Sequence, residues 1–442
     1  MSETSSLDFS DDHNSRSDSR SGSRSGSNSS RSVSGSRSGS NSSYASSSEN
    51  NNIDLTGDII NNYNIISQLG KGSYSRVWLA YNISDNKYYA LKVQNPDDFS
   101  DGKDEIKILK KIPADEPYIN RLVEYFVETR FVNENPTNFI CSVYELCAGN
   151  LDGLARKGKY KNGYPEHIVK TIFKQVLLSL NTVHNKLDGY HGDIKPDNIL
   201  LCGLNNKDAK YIKMYGKHNF SEIYSKTKKE YMLEKKLKKI DTAMKSRIRK
   251  KIHSALIEMM DENEESNYLC DDKYFNNLQI KLTDFGFYCH KEEFFHEPFG
   301  TRYYMAPEII LMAECSEKVD IWALGCMLFE LITGKILFDP HSDEKGSTDY
   351  HHLEMIINLC GEFNGQFQSG KYYKKFFKNN KLINMEYNDD FKLSIFDKIN
   401  KQFINHNMNV NIHIIRLIEC MLQINPKKRP SVKELLKNNW LN

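Results

Sequence analysis

The 442-residue chain has no run of about 18 apolar residues, the length that crosses a bilayer as a helix, so no transmembrane helix is expected. Its first residues lack an apolar core flanked by basic residues and do not read as a signal peptide. An excess of charge of one sign is also lacking. Sixty Lys and Arg against 58 Asp and Glu leave a net charge of +2, which argues against wholesale binding to nucleic acid or to a membrane. No C-x-x-C pair occurs among the nine cysteines, which lie scattered from Cys141 to Cys420. Neither a disulfide framework nor a zinc site is indicated. Free thiols in an intracellular protein of cytoplasm or nucleus are expected, in a host cell if the chain is viral. What remains is 39% hydrophobic and 27% charged, a globular composition long enough for two or three domain-sized units.

The first fifty residues have almost no large apolar side chain. They cannot bury enough surface to offset the entropy of ordering, so residues 1–58 are expected to be a disordered arm. Arg-Ser dipeptides recur there at Arg16-Ser17, Arg20-Ser21, Arg24-Ser25, Arg31-Ser32 and Arg37-Ser38. Such an arm reads as a phosphorylation substrate, a tether, or a weak nucleic-acid contact; the plainer reading is a low-complexity tail.

The most informative stretch is Tyr190-His191-Gly192-Asp193-Ile194-Lys195-Pro196-Asp197-Asn198-Ile199-Leu200-Leu201. It sets an acid, a cation and an amide within six positions, ahead of a strand-like run. Phosphoryl transfer to a hydroxyl needs that set. Asp193 can accept the hydroxyl proton, Lys195 can neutralise charge on the phosphoryl group, and Asn198 can ligate a metal that bridges nucleotide phosphates. Upstream, Leu69-Gly70-Lys71-Gly72-Ser73-Tyr74-Ser75-Arg76-Val77 reads as strand, turn, strand. Glycines there let backbone N–H groups approach phosphates.

The stretch around Asp193 resembles the catalytic loop of eukaryotic-type Ser/Thr protein kinases, with Gly192 in place of the usual Arg. Other segments add to the resemblance and carry its implications. Tyr89-Ala90-Leu91-Lys92-Val93 resembles the strand whose Lys pairs with ATP phosphates, and Glu105 is its implied ion-pair partner. Ala90 belongs to the implied nucleotide site. In Tyr144-Glu145-Leu146-Cys147, Tyr144 is the implied gatekeeper, and the backbone of Glu145 and Cys147 binds the adenine edge. Asp284-Phe285-Gly286 looks like the D-F-G motif, so Asp284, like Asn198, is an implied Mg²⁺ ligand. Thr301 is the only Ser or Thr between Asp284 and Glu308, and it is implied to bond near Asp193. Glu308 is expected to pair with Arg429, and Asp320 to brace the catalytic loop.

Finer features are similar to the SR-protein kinases, which phosphorylate Ser in Arg-Ser repeats. They include Tyr74-Ser75-Arg76-Val77-Trp78, Asp104-Glu105-Ile106-Lys107, Leu337-Phe338-Asp339-Pro340-His341-Ser342 and the final Trp440-Leu441-Asn442. Met305-Ala306-Pro307, His351 and Asn358 depart from that family's pattern. Between catalytic loop and D-F-G lies an insertion, about 203–278. There Leu233, Leu237, Ile240, Met244, Ile248, Ile252, Leu256 and Met259 recur every three or four residues. One long amphipathic helix is expected, either a partner-binding or localisation device or a helix packed on the large lobe.

The expected fold is therefore α+β and bilobal: a small β-rich lobe over 59–148 and a helical large lobe over 149–442, with the insertion and the arm. The expected reaction is transfer of the ATP γ-phosphoryl group, with Mg²⁺, to protein Ser or Thr, by a monomer acting on substrates that include Arg-Ser-rich ones. The alternatives are a pseudokinase scaffold, or a protein that binds RNA or splicing factors through its arm.

Overall fold

The computed structural model describes residues 55–441 except 133–134, 154–159, 218–219, 259–273, 276, 344–345, 387–392 and 407. Residues 1–54, most of the predicted arm, lie outside that set. Six strands come first: β1 (Ile59–Ile60), β2 (Tyr63–Lys71), β3 (Ser75–Asn82), β4 (Lys87–Gln94), β5 (Leu122–Val132) and β6 (Asn135–Glu145). They form one antiparallel sheet in the order β1-β2-β3-β4-β6-β5. Helix α1 (Phe99–Leu109) crosses between β4 and β5.

Strand periodicity gives this sheet two apolar faces. On one, Tyr63, Ile65, Trp78, Ala80, Leu91 and Val143 form a core that Leu55 helps to cover. On the other, Ile66 and Leu79 are equally buried, but under a different part of the chain.

That cover is the insertion. After β7 (Cys147–Asn150), α2 (Glu166–Asn185), β8 (Gly189–Tyr190) and β9 (Ile199–Cys202), the described residues of the insertion form three helices: α3 (Asn206–Lys217), α4 (Phe220–Glu234) and α5 (Thr242–Glu258). Strand β10 (Ile280–Leu282) then returns to pair antiparallel with β9, Ile280 opposite Leu201. The single long helix expected from the apolar spacing is thus divided. Lys236, with a left-handed φ of 51°, marks one break. Leu233, counted in the stripe, is exposed, whereas Ile248 and Ile252 are buried. The side chain of Leu256, and Met259, lie outside the described set. The packing is also not the one expected. Tyr211, Tyr215, Ile248 and Ile252 join Ile66 and Leu79 in one cluster, so the helices cover the small-lobe sheet. The Tyr88 hydroxyl reaches the Ile212 carbonyl at 3.4 Å, and Ser246 donates to Asp58 at 2.6 Å. Burying each such aliphatic side chain is worth about 1.5–3 kcal/mol.

The large lobe is built on α2 and α7. Helix α2 buries Ile168, Ile172, Val176, Leu180 and Val183, the face its spacing predicts. Following β11 (Cys289–His290) and α6 (Pro307–Ile310), α7 (Lys318–Thr333) is buried almost all round, as an apolar helix at a core centre must be. Gly334 ends it in the left-handed conformation, φ 69°. Helices α8 (Thr348–Cys360), α9 (Tyr373–Phe376), α10 (Ile395–Asn405), α11 (Ile412–Met421) and α12 (Val432–Leu435) complete the lobe.

Candidate active site

Asp193 stands on the loop between β8 and β9, and Asp320 at the start of α7 shapes that loop. Its two carboxylate oxygens accept the backbone N–H groups of His191 at 2.8 Å and Gly192 at 2.9 Å, and His184 closes on it at 2.8 Å. The His191 ring works inward. Its Nδ1 accepts from the Asp193 N–H at 3.2 Å, which leaves Nε2–H to donate to the Thr283 carbonyl at 3.0 Å. His191 thereby joins the catalytic loop to the residue before Asp284.

Four groups converge on the Asp193 carboxylate. Lys195 donates to Oδ2 at 2.6 Å and Asn198 to the same oxygen at 3.1 Å. Thr301 donates to Oδ1 through both its N–H, at 2.8 Å, and its hydroxyl, at 2.7 Å. Lys195 also donates to the Thr301 oxygen at 2.7 Å. A hydroxyl therefore sits between the acid and the cation. Burial works against the charge on Lys195, but Asp193 outweighs it and holds the ammonium above its ordinary range.

A second cluster spans the lobes. Lys92 on β4 reaches both carboxylate oxygens of Glu105 on α1 at 2.8 Å, and Asp284 at 3.3 Å. Burial alone would push Lys92 down, yet Glu105 and Asp284 raise it instead. The Lys92 ammonium in turn holds the Asp284 carboxyl below its usual range, helped by Lys195 and His191. Asp284 takes a left-handed φ of 65°. A non-glycine residue held there is strained, and such strain gathers at functional sites. Glu128, another acid of the small-lobe sheet, lies on β5 and pairs with Arg130.

The glycine-rich segment Leu69–Val77 closes β2 and opens β3. Gly72 N–H bonds the Ser75 carbonyl at 2.9 Å, and Asn95 ties down the carbonyls of Ser73 and Tyr74 at 2.9 and 2.8 Å. Val77 pairs with Lys92, and Ala90 with Tyr144. Arg76 instead lines a cavity with Trp78, Glu128 and Arg130. Glu145 ends β6, where Lys281 of β10 meets its carboxylate at 2.6 Å, and Cys147 opens β7.

Several contributors were not picked out from the sequence. Phe295 and Phe299 stack at 4.1 Å, Phe287 contacts Phe295 at 6.5 Å, and Tyr190 backs Phe299 at 6.1 Å. Tyr74 at the glycine-rich tip meets Phe287 edge-on at 6.4 Å. The concentration of Phe between Asp284 and Gly300 was the available signal. Glu308 and Arg429 form the expected pair, fully buried, with 2.9 Å between Nη2 and Oε2. The Trp322 ring lies 5.0 Å from the guanidinium.

Known proteins are similar to the chain in sequence over both lobes. The family model described as the protein kinase domain matches residues 63–216 and 214–441. The L205 protein of Acanthamoeba polyphaga mimivirus is 28% identical over 474 residues, covering 86% of this chain and 87% of that one. The serine/threonine-protein kinase SRPK of Physarum polycephalum is 29% identical over 328 residues, 72% of this chain and 71% of its own. SRSF protein kinase 3 of Mus musculus is 25% identical over 499 residues, 87% of each. With the family model spanning both lobes, the chain belongs to the protein kinase family, enzymes for which ATP is a substrate.

Proposed function

We propose that this kinase phosphorylates Ser and Thr, with Asp193 as the group that receives the hydroxyl proton. The observation that carries the reading is the Thr301 hydroxyl, held at 2.7 Å from both Asp193 and Lys195. It marks where an acceptor hydroxyl finds both a proton acceptor and a cation. Lys195 offsets charge as the phosphoryl group arrives, and Lys92, fixed by Glu105, steadies the nucleotide phosphates. The backbone of residues 69–77 cradles those phosphates, with Leu69, Val77 and Ala90 bordering the adenine. The hinge backbone of Glu145 and Cys147 meets the adenine edge. Most of the catalysis is positioning and electrostatics.

Asn198 and Asp284 suit a magnesium ion. The Asn198 amide nitrogen is committed to Asp193, which leaves its oxygen for the cleft. An amide oxygen and a carboxylate are the hard donors that Mg²⁺ prefers. Asn198 and Asp284 would hold the ion, which would supply positive charge to offset that of the nucleotide phosphates.

The substrate class we infer is Arg-Ser-rich protein. Relatives named SRSF protein kinase 3 and SRPK support it, as do the segments around Trp78 and Phe338 that resemble the same kinases. The protein works as a monomer in cytoplasm or nucleus. The test is labelled ATP with peptides bearing Arg-Ser, acidic or proline-directed serines. Preferred labelling of the Arg-Ser peptide is expected. Equal labelling of all three overturns the substrate class, and labelling of none overturns the activity.

A further inference from the structure

Cys147 and Cys202 stand directly opposite each other where β7 pairs antiparallel with β9. Opposed residues in such a ladder have Cα atoms roughly 4.5–5.5 Å apart, inside the roughly 4.4–6.8 Å that a disulfide spans. Burial alternates along β9. Ile199 and Leu201 enter the core, whereas Leu200 and Cys202 are half-buried and share the other face. Lys281, opposite Leu200, reaches the Glu145 carboxylate at the hinge. Cys147 is half-buried too, unlike Cys141, Cys326 and Cys360, which are sealed in cores.

The two thiols are unequal. The Cys147 thiol also reaches the Glu145 carbonyl at 3.9 Å; its contact with Cys202, with Lys281 nearby, brings Cys202 down to about 7. That same contact, together with burial, pushes Cys147 up. Of the two sulfurs, Cys202 is the one whose charged form the surroundings favour. A low, accessible thiol with a resolving partner is the arrangement that peroxide oxidation selects.

We propose that Cys147 and Cys202 form a hydroperoxide-sensitive dithiol that closes to an intramolecular disulfide at the nucleotide hinge. The Cys202 thiolate attacks one oxygen of hydrogen peroxide. The O–O bond breaks, hydroxide leaves and takes up a proton, and Cys202 becomes a sulfenic acid. Cys147 then loses its proton and attacks the Cys202 sulfur. The S–O bond breaks, and the departing hydroxide leaves as water. Overall, two thiols give up two electrons and two protons, and one peroxide becomes two waters. A dithiol reductant reverses the closure. Because Cys147 lies in the hinge, nucleotide held through its backbone covers the pair and slows oxidation. That protection rests on the proposed adenine contact; the disulfide does not.

The test is to treat the full chain with equimolar hydrogen peroxide, alkylate the remaining thiols and map peptides without reduction. The expected result is one linked pair, Cys147 with Cys202, and an intact mass about 2 Da below that of the reduced protein. C202S should lose the link while keeping its activity before oxidation, and C202A serves as the second variant. A nucleotide analogue should slow the link several-fold. A bridge through Cys315 or Cys420 instead, or Cys202 driven on to sulfinic acid while Cys147 stays alkylatable, overturns the proposal. A link that forms at the same rate with nucleotide supports the dithiol and overturns the adenine contact at Cys147.

Discussion

At the scale of single residues, Asp193 separates binding from chemistry. Its carboxylate is held by Lys195, Asn198 and Thr301 and touches none of the groups around Lys92. Asp193→Asn should therefore lower phosphoryl transfer on the order of 10²–10⁴-fold while nucleotide affinity stays near wild type. Turnover above about a tenth of wild type, measured with labelled ATP, would remove Asp193 from its role. His352 gives an independent prediction, about stability. It is fully buried beside the Phe338 ring, and neither ring nitrogen meets a partner among the described residues. Burial, with Arg302 adding to it, pushes the ring down to about 3. The unfolded chain binds a proton there below about pH 6.5 that the folded chain refuses. Its contribution to stability is therefore complete above about pH 6.5 and shrinks by about 1.4 kcal/mol per pH unit as pH falls toward 3. His352→Leu should flatten the fall in melting temperature between pH 7 and pH 5. A variant that falls as steeply as wild type would place the acid sensitivity elsewhere. Motif spacing made most of these polar residues legible, because the chemistry fixes which types can stand there. His352 carried no such signal, since only burial makes it unusual.

At the scale of elements, two segments owe their shape to contacts that spacing alone does not reveal. Gly192 takes a φ of +80°, and a Cβ there would come within 2.5 Å of the Phe287 carbonyl. The Arg usual at this position in kinases would not fit this backbone. The segment from Asp284 to Glu308 instead leans on its own stack of Phe287, Phe295 and Phe299, and on Thr301 bonded to Asp193. Phosphatase-treated protein made in bacteria should thus be active without an upstream kinase. A strict requirement for prior phosphorylation would refute this. The insertion is the clearer lesson in what a sequence hides. Its amphipathic period announced one long helix, but not where it breaks or which surface it covers, because those depend on side chains far away in the chain, as with Ser246 and Asp58, bonded across 188 positions. Ile66 and Leu79 would be laid bare by its removal. Ile252→Ala should lower stability by about 2–5 kcal/mol, the usual loss for a large-to-small change in a core. An unchanged denaturation midpoint would mean the helices are independent of the small lobe. By the same reasoning, deleting residues 205–276 should expose apolar surface and promote aggregation rather than leave a healthy enzyme.

At the scale of the whole molecule, the order of motifs along the chain was enough to lay out both lobes, because each motif is tied to a particular strand or loop. The same order places a kinase and a set of Arg-Ser pairs on one polypeptide. The point of attachment is firm. Leu55 packs into the small-lobe core, and Asp58 is gripped by Arg130 at 2.9 Å and Ser246 at 2.6 Å. Covalent attachment makes the meeting of arm and active site intramolecular, at an effective concentration that reaches roughly the millimolar range for suitable linkers. The chain should phosphorylate its own Ser17, Ser21, Ser25, Ser32 and Ser38, the serines that follow arginine. Each phosphate adds roughly −1.5 to −2 charges, so five of them would turn the locally basic stretch 16–38, with its five Arg and one Asp, negative and change what it binds. Mass spectrometry after incubation with ATP and Mg²⁺, beside the Asp193→Asn protein, reads the sites. The initial rate per molecule should not change on dilution, as it would if one molecule modified another. Phosphate confined to residues beyond 58 would exclude the arm as a substrate. A rate that falls in proportion to protein concentration would keep the arm as a substrate but assign the transfer to a second molecule.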